Sequence, residues 1–232
     1  MHKCFSFLIA VALAAPTLSL AQSSKEDDRL KDSTDVLRAV LGDPDKGIPH
    51  KILDKSECVI VYPAVKKAAF VFGASYGRGV ATCRTGAEYN GPWGPPAMFA
   101  LEGASFGLQA GGQATDFVLL VMNQTGAASV LKSKVKIGAD ASAAAGPVGR
   151  NASAETDAVM TAQILSWSRA KGVFAGVSLS GSTMRSDDGA NKNLYGKDLS
   201  ATEIVRGDKV KTTPAGEPLL KLLDETSPKH ME

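Results

Sequence analysis

Ser75 and Ser105 each sit at the centre of a G-x-S-x-G pentapeptide, G-A-S-Y-G at 73–77 and G-A-S-F-G at 103–107. This is the spacing of a nucleophile elbow, in which a serine on a sharp strand-to-helix turn is activated by a histidine. The rest of the chain does not supply that chemistry. An elbow should occur once, a helix should follow it, and the base should come later; the only histidine after these serines is His230, and no helix signal follows either copy. His50 precedes both and reads as an exposed residue of a short helix. Hydrolysis therefore ranks third among the functional readings, and no catalytic residue is assigned.

Metal and cofactor chemistry fare no better. The body of the chain holds one histidine and two cysteines, too few for a zinc site. Gly77-Arg78-Gly79 is followed by Val80-Ala81-Thr82, without the third glycine or the helix of a dinucleotide loop, and no G-K-[ST] phosphate loop occurs. The expectation is no cofactor and no metal. Gly103, Gly107 and Gly111 have the spacing of packed transmembrane helices, but Gln109, Gln113 and Asp116 interrupt the apolarity such helices need. Asp116 reads as a hydrogen-bonded turn carboxylate.

What remains is the chemistry of binding. Lys66-Lys67 and the alternating Lys132, Lys134 and Lys136 are placed to meet anionic headgroups, each worth about 1 kcal/mol near a charged membrane; the alternative is a solvated strand face. Trp93, in a Gly/Pro-rich turn, either enters an interface or lies as a lid on the core. With 26 basic against 24 acidic residues there is no nucleic-acid signature, so nucleic acid is excluded as a partner.

The elements that must carry these residues follow from periodicity. In the stretch 103–123, a period of two puts Gly103, Ser105, Gly107, Gln109 and Gly111 on one bare face, open to close approach by another backbone or a ligand. Residues 117–122 form an apolar run too short to cross a bilayer, which predicts a strand buried on both faces. Ser24 predicts a helix cap, with Leu30, Leu37, Val40 and Leu41 at helical spacing and Gly42 as a stop. Its apolar face packs on its own domain or, given Lys25, Arg29, Lys31 and Arg38, lies on a membrane.

A second short helix is predicted over 49–55. Strands are predicted on either side of Pro63 and of a Gly77/Gly79 bend, and again at 97–101, 158–167 and 171–184. A helix is expected at 125–131, and two more near Ser200 and over 217–223. The near repeat of the two pentapeptides, with a partial third copy at Gly176, points to a shared structural demand for residues without Cβ. The predicted class is α+β, a many-stranded, mostly antiparallel curved sheet with helices from both chain ends packed against it.

Met1-His2-Lys3, an apolar segment to Leu20 and the pattern Ser19-Leu20-Ala21 resemble a signal peptide over 1–21. Cys4 precedes the apolar segment, so a lipoprotein is not expected. The remaining 22–232 reads as one domain, exported, periplasmic or secreted, and soluble. Cys58 and Cys83 both lie in strand-like segments, and an even pair in an oxidising compartment favours a disulfide over two buried thiols.

In series, I-P-H-K-I-L near Ile48, C-V-I-V-Y-P-A-V-K-K from Cys58, G-A-S-Y-G-R-G-V, W-G-P-P-A at Trp93, G-L-Q-A-G-G-Q-A-T-D-F-V-L-L-V-M-N, A-A-G-P-V-G-R to Arg150 and K-G-V-F-A-G-V-S-L-S-G resemble the SYLF domain family over about 30–200. The family's usual W-S-x-P-A reads W-G-P-P-A here. The resemblance implies an exported, bacterial-type member of a family associated with lipids, including phosphoinositides, and in fungi with actin. The expected function is a non-enzymatic, lipid-associating module of the cell envelope. Its expected partners are phospholipid or a membrane surface, and other envelope proteins. The alternative is a structural or protein-interaction scaffold with no lipid ligand.

Overall fold

The structure, a computed structural model, describes residues 24–69, 72–106, 111–149, 161–170 and 172–228. The signal-like segment 1–21, Gly107, Gln109, Arg150, the first part of the strand expected over 158–167, and His230 lie outside the described residues.

Helix α1, Lys25–Gly42, starts where the sequence says it should. The Ser24 hydroxyl accepts the Asp27 N–H at 3.1 Å, and the Asp27 carboxylate accepts the Ser24 N–H at 3.2 Å. This capping box, with Glu26, Asp27 and Asp28 in the first turn, satisfies the free amide end of the helix. Leu30, Val36, Leu37 and Val40 are buried against the protein's own sheet, so the packing alternative holds and the apolar face is not available to a membrane. Helix α2, His50–Asp54, follows with Pro49 at its cap.

Among the described residues nine strands come next: β1 Cys58–Ala69, β2 Phe72–Cys83, β3 Ala97–Phe106, β4 Gly111–Val121, β5 Lys134–Lys136, β6 Ala143–Ala145, β7 Ile164–Ala170, β8 Val173–Gly176 and β9 Thr183–Ser186. Helix α3, Gln124–Val130, lies between β4 and β5; α4 Asp188–Tyr195, α5 Ala201–Val205 and α6 Glu217–Thr226 follow β9. The sheet order is β5-β9-β3-β2-β1-β4-β7-β6, with β8 beside β7. Every pairing is antiparallel except that of β6 with β7. The sheet curls into a half-barrel, and the fold is α+β as the patterning predicts.

Both faces of the sheet are covered along much of its length. Cys58, Ile60 and Tyr62 of β1 join one core with α3 and α5, while Val59 and Val61 join a second core with α1, α2, α4 and α6. On β4 the same alternation sends Leu119 and Val121 to the first core and Val118 and Leu120 to the second. That is why 117–122 is an unbroken apolar run.

Three sequence expectations are corrected here. First, Gly103, Ser105 and Gly111 do not share one bare face of an extended stretch: Gly103 and Ser105 belong to β3 and Gly111 to β4, and β2 and β1 stand between those strands in the sheet. Second, Pro63 does not end a strand. Tyr62 pairs with Phe117 and Val65 with Thr115, so Pro63 and Ala64 together face Asp116 in a β-bulge. Ala64 has φ 49°, and its N–H is held by Asp116 Oδ1 at 2.8 Å. Asp116 is therefore a strand carboxylate that holds a bulge, and Arg169 grips its other oxygen at 2.6 Å.

Third, Gly77 and Gly79 do not divide β2, which is one continuous strand through them. They are glycines because the bulge presses against them: a Cβ at Gly77 would lie 2.5 Å from Val65 Cγ2, and one at Gly79 would lie 2.6 Å from Tyr62 Cδ1. The repeated pentapeptide has a related cause. The two copies pair with each other, Gly73 with Ser105, Ala74 with Ala104 and Ser75 with Gly103, so each serine faces a glycine across the ladder. Ser75 thus lies within a strand and not at a strand-to-helix turn.

Candidate functional site

Antiparallel partners share a face, so the register shows which sequence candidates come together. One row runs Lys66 on β1, Tyr76 on β2, Glu102 on β3, Thr183 on β9 and Lys136 on β5. The next row runs Arg78, Ala100, Arg185 and Lys134. Residues two apart on a strand also share a face, so both rows lie on the same side of the sheet. It is the side that α1, α2, α4 and α6 cover further along, above Val80 and Met98.

Those helices stop short of the two rows. Tyr76 is 43% exposed and the Arg78 side chain 47%, and Lys66, Lys134 and Lys136 are exposed. Five cations therefore occupy an uncovered stretch of sheet whose two rows contain one carboxylate, Glu102. Lys134 stands directly opposite Arg185, a like-charged cross-strand pair that works against folding.

The local bonds hold the arginines without neutralising the face. Arg185 Nε donates to Glu102 Oε1 at 2.8 Å, and Arg78 Nε donates to the Tyr76 hydroxyl at 2.9 Å. These bonds raise the pKa of both guanidinium groups. Behind the face, Asp187 Oδ2 lies 3.4 Å from Arg78 and 3.6 Å from the buried Arg29, whose pKa burial lowers. Asp187 also caps α4, so this acid ties the edge of the basic face to the helical layer.

The remaining candidates are placed elsewhere. Lys67 is exposed but pairs with Ser75 and Gln113, which puts it on the opposite face. Lys132 is exposed in the turn between α3 and β5, just before the alternating Lys134 and Lys136. Trp93 is corrected: it is 5% exposed and takes the lid position. Its indole N–H donates to the Ser227 carbonyl at 3.1 Å, and its ring lies 4.3 Å from the Arg84 guanidinium. Arg84, fully buried, donates to Ser227 Oγ at 2.7 Å and to the Ser56 carbonyl at 3.3 Å. A tryptophan so held has no route to an interface without dismantling the end of α6.

Next to this lid Cys58 and Cys83 form the disulfide, joining the first residue of β1 to the last of β2. Glu57 and Arg84 flank it. Burial pushes the Glu57 carboxyl up to about 7, with Arg84 opposing the rise.

Sequence reasoning missed Tyr76, Arg78, Glu102 and Arg185. Arg78 was visible only as part of a failed glycine motif, and Arg185 stands alone in the sequence. The available signal was period-two placement, Tyr76-x-Arg78 and Thr183-x-Arg185, matching Lys134-x-Lys136.

The fold is a curled α+β half-barrel with helices on both faces and a basic stretch of open sheet. The chain belongs to the Ysc84 family, the SYLF family that its motifs resemble. The family model described as "Las17-binding protein actin regulator" matches residues 102–226. The chain is 33% identical over 183 residues to Protein YSC84 of Saccharomyces cerevisiae, covering 78% of this chain and 38% of that protein. It is 32% identical over 183 residues to LAS seventeen-binding protein 3 of the same yeast, covering 78% and 39%. With human SH3 domain-containing YSC84-like protein 1 it shares 28% over 188 residues, 81% of this chain and 54% of that one. The chain thus spans about two fifths of the length of the yeast relatives it matches.

Proposed function

We propose that this protein is a non-enzymatic module of the cell envelope that associates with anionic phospholipid surfaces through the open face carrying Lys66, Arg78, Lys134, Lys136 and Arg185. The observation that carries this reading is the clustering itself. Four strands bring five cations from distant parts of the sequence onto one uncovered face, including a like-charged pair that the fold does not need. A near-neutral protein gains no attraction to a membrane from its net charge, so a local array of this kind must supply it. Export behind the leader-like N-terminus gives the module its envelope location.

The test is co-sedimentation with vesicles of anionic or zwitterionic lipid across a salt series. Binding is expected to the anionic vesicles only, and to weaken as added salt shortens the Debye length to about 8 Å near physiological strength. Changing Lys66, Lys134 and Lys136 together to Gln should remove about 3 kcal/mol of it, at about 1 kcal/mol per residue. Lys67→Gln, on the other face, serves as the matched control and should change little. Equal losses in the two variants would sink the assignment to this face.

The second reading is a protein-interaction scaffold, and its specific support is that the family is described as Las17-binding and one yeast relative is LAS seventeen-binding protein 3. Folded protein that ignores anionic vesicles at low salt would put this reading first.

A further inference from the structure

At the far end of β3 from the basic face, a cavity of about 540 Å³ lies between the C-terminal end of α4 and the loop 207–213. Its floor is apolar. Leu194, Tyr195 and Val210 line it, Val210 and Tyr195 pack on the core beneath, and the Tyr195 hydroxyl is anchored to the Pro96 carbonyl at 2.6 Å. Its rim is basic, with Lys197, Lys209 and Lys211 all exposed. None of the three forms an ion pair among the described residues. The acid in the lining is Asp208; nearby Glu203 has its pKa lowered mainly by hydrogen bonds from Ser200, with Lys209 adding to it.

The wall of this groove has a second property. The Gly207 N–H is bonded to Ile204 and the Thr213 carbonyl receives Gly216 and Glu217, but 208–212 between them make no backbone-to-backbone hydrogen bond among the described residues. Past the bend at 207–209, burial alternates from Lys209 to Thr212: Lys209 and Lys211 are exposed, while Val210 and Thr212 are half-buried and Val210 packs on the core. A wall with period-two side chains and unused backbone donors and acceptors is a template for strand addition, where main-chain bonds give affinity and alternate side chains give specificity.

We propose that this groove docks an acidic, extended peptide segment of a protein partner, which pairs with the backbone of 209–212 and sets its carboxylates against Lys197, Lys209 and Lys211. The groove is distinct from the basic sheet face and does not depend on it. Four residues of wall match about 13 Å of extended peptide, so the recognised segment is about four residues long.

The experiment measures anisotropy of labelled octapeptides against the full chain. One alternates Glu and Val, a second replaces Glu by Gln, and a third is the Glu peptide with alternate backbone nitrogens methylated. The Glu peptide should bind at least tenfold more tightly than the Gln peptide. Methylation should weaken it by a similar factor. Lys209→Gln with Lys211→Gln should abolish the preference while leaving the thermal melt and vesicle association unchanged, since both lysines are exposed. Equal affinity for Glu and Gln peptides, or full binding by the double variant, overturns the proposal. So does indifference to backbone methylation. Competition by free glutarate at the same concentration as the peptide would make the groove a small-anion pocket and equally refute it.

Discussion

Replacing Glu57 by Gln should remove a measurable part of the protein's pH dependence. Glu57 stands at the entry to β1, with its N–H on the Val121 carbonyl at 2.7 Å and its carbonyl receiving the Arg84 N–H at 2.8 Å, and it is 5% exposed. Burial, reinforced by Glu88 and opposed by Arg84 and Arg206, moves its carboxyl from 4.5 to about 7. A raised pKa means that the folded state holds a proton which the unfolded chain has released. The stabilisation is complete below about pH 4.5 and is lost as pH rises through about 7. At about 1.4 kcal/mol per pH unit of displacement, the full effect is about 3 kcal/mol. The assay is urea denaturation at pH 5 and pH 8.5 without reductant, on wild type and Glu57→Gln. Other titrating groups, including Asp224, whose pKa burial also raises, contribute to both proteins and cancel in the comparison. Wild type should lose about 2.5 kcal/mol more than the variant between the two pH values, because part of the effect is already lost at pH 5. Equal losses would show that the carboxylate is solvated or fully compensated by Arg84, and would refute the reasoning.

Two further outcomes follow from the packing. Thiol counting under denaturing, non-reducing conditions should find Cys58 and Cys83 oxidised, and reducing a bridge across 25 residues should cost about 3 kcal/mol of stability. Free thiols at both positions would contradict it. Gly79→Ala should destabilise by several kcal/mol, because its Cβ meets Tyr62 and the β1 backbone. Gly189→Ala, within α4 and with nothing inside 4 Å, should stabilise by about 0.5–1 kcal/mol. Thermal melts of the two variants that shift together would show that the bulge does not press on β2.

Local chemistry was legible in the sequence wherever the deciding partner lay within a few residues. Ser24 and Asp27 cap α1 through bonds three residues apart, and Asn123 caps α3 in the same way through Gly126. The run 117–122 announced burial on both faces because each parity of the strand meets its own core. Helix α4 was missed for the opposite reason. D-G-A-N-K-N-L-Y contains Gly and two Asn, all weak helix formers, and only its ends, the Asp187 cap and the left-handed Gly196, carry a local helix signal. What holds it is tertiary: buried Asn191 accepts the Met98 N–H at 2.6 Å and returns a bond to the Met98 carbonyl at 3.2 Å.

The bulge at Pro63 and Ala64 shows why the candidate site was only half visible. From β1 alone, Lys66 and Lys67 are neighbours with no means of telling which points where. The answer depends on the bulge, which changes the parity of everything after it, so that Lys66 and not Lys67 lands beside Tyr76. The bulge in turn rests on Asp116, 52 residues away, holding the Ala64 N–H, and on two glycines of β2 that leave room for it. Arg78, which follows the first of those glycines, reaches the basic face because β2 continues unbroken past the bulge. A substitution that straightened β1 at Ala64 would therefore exchange Lys66 for Lys67 on the basic face while leaving the composition of the protein and the count of its charges unchanged.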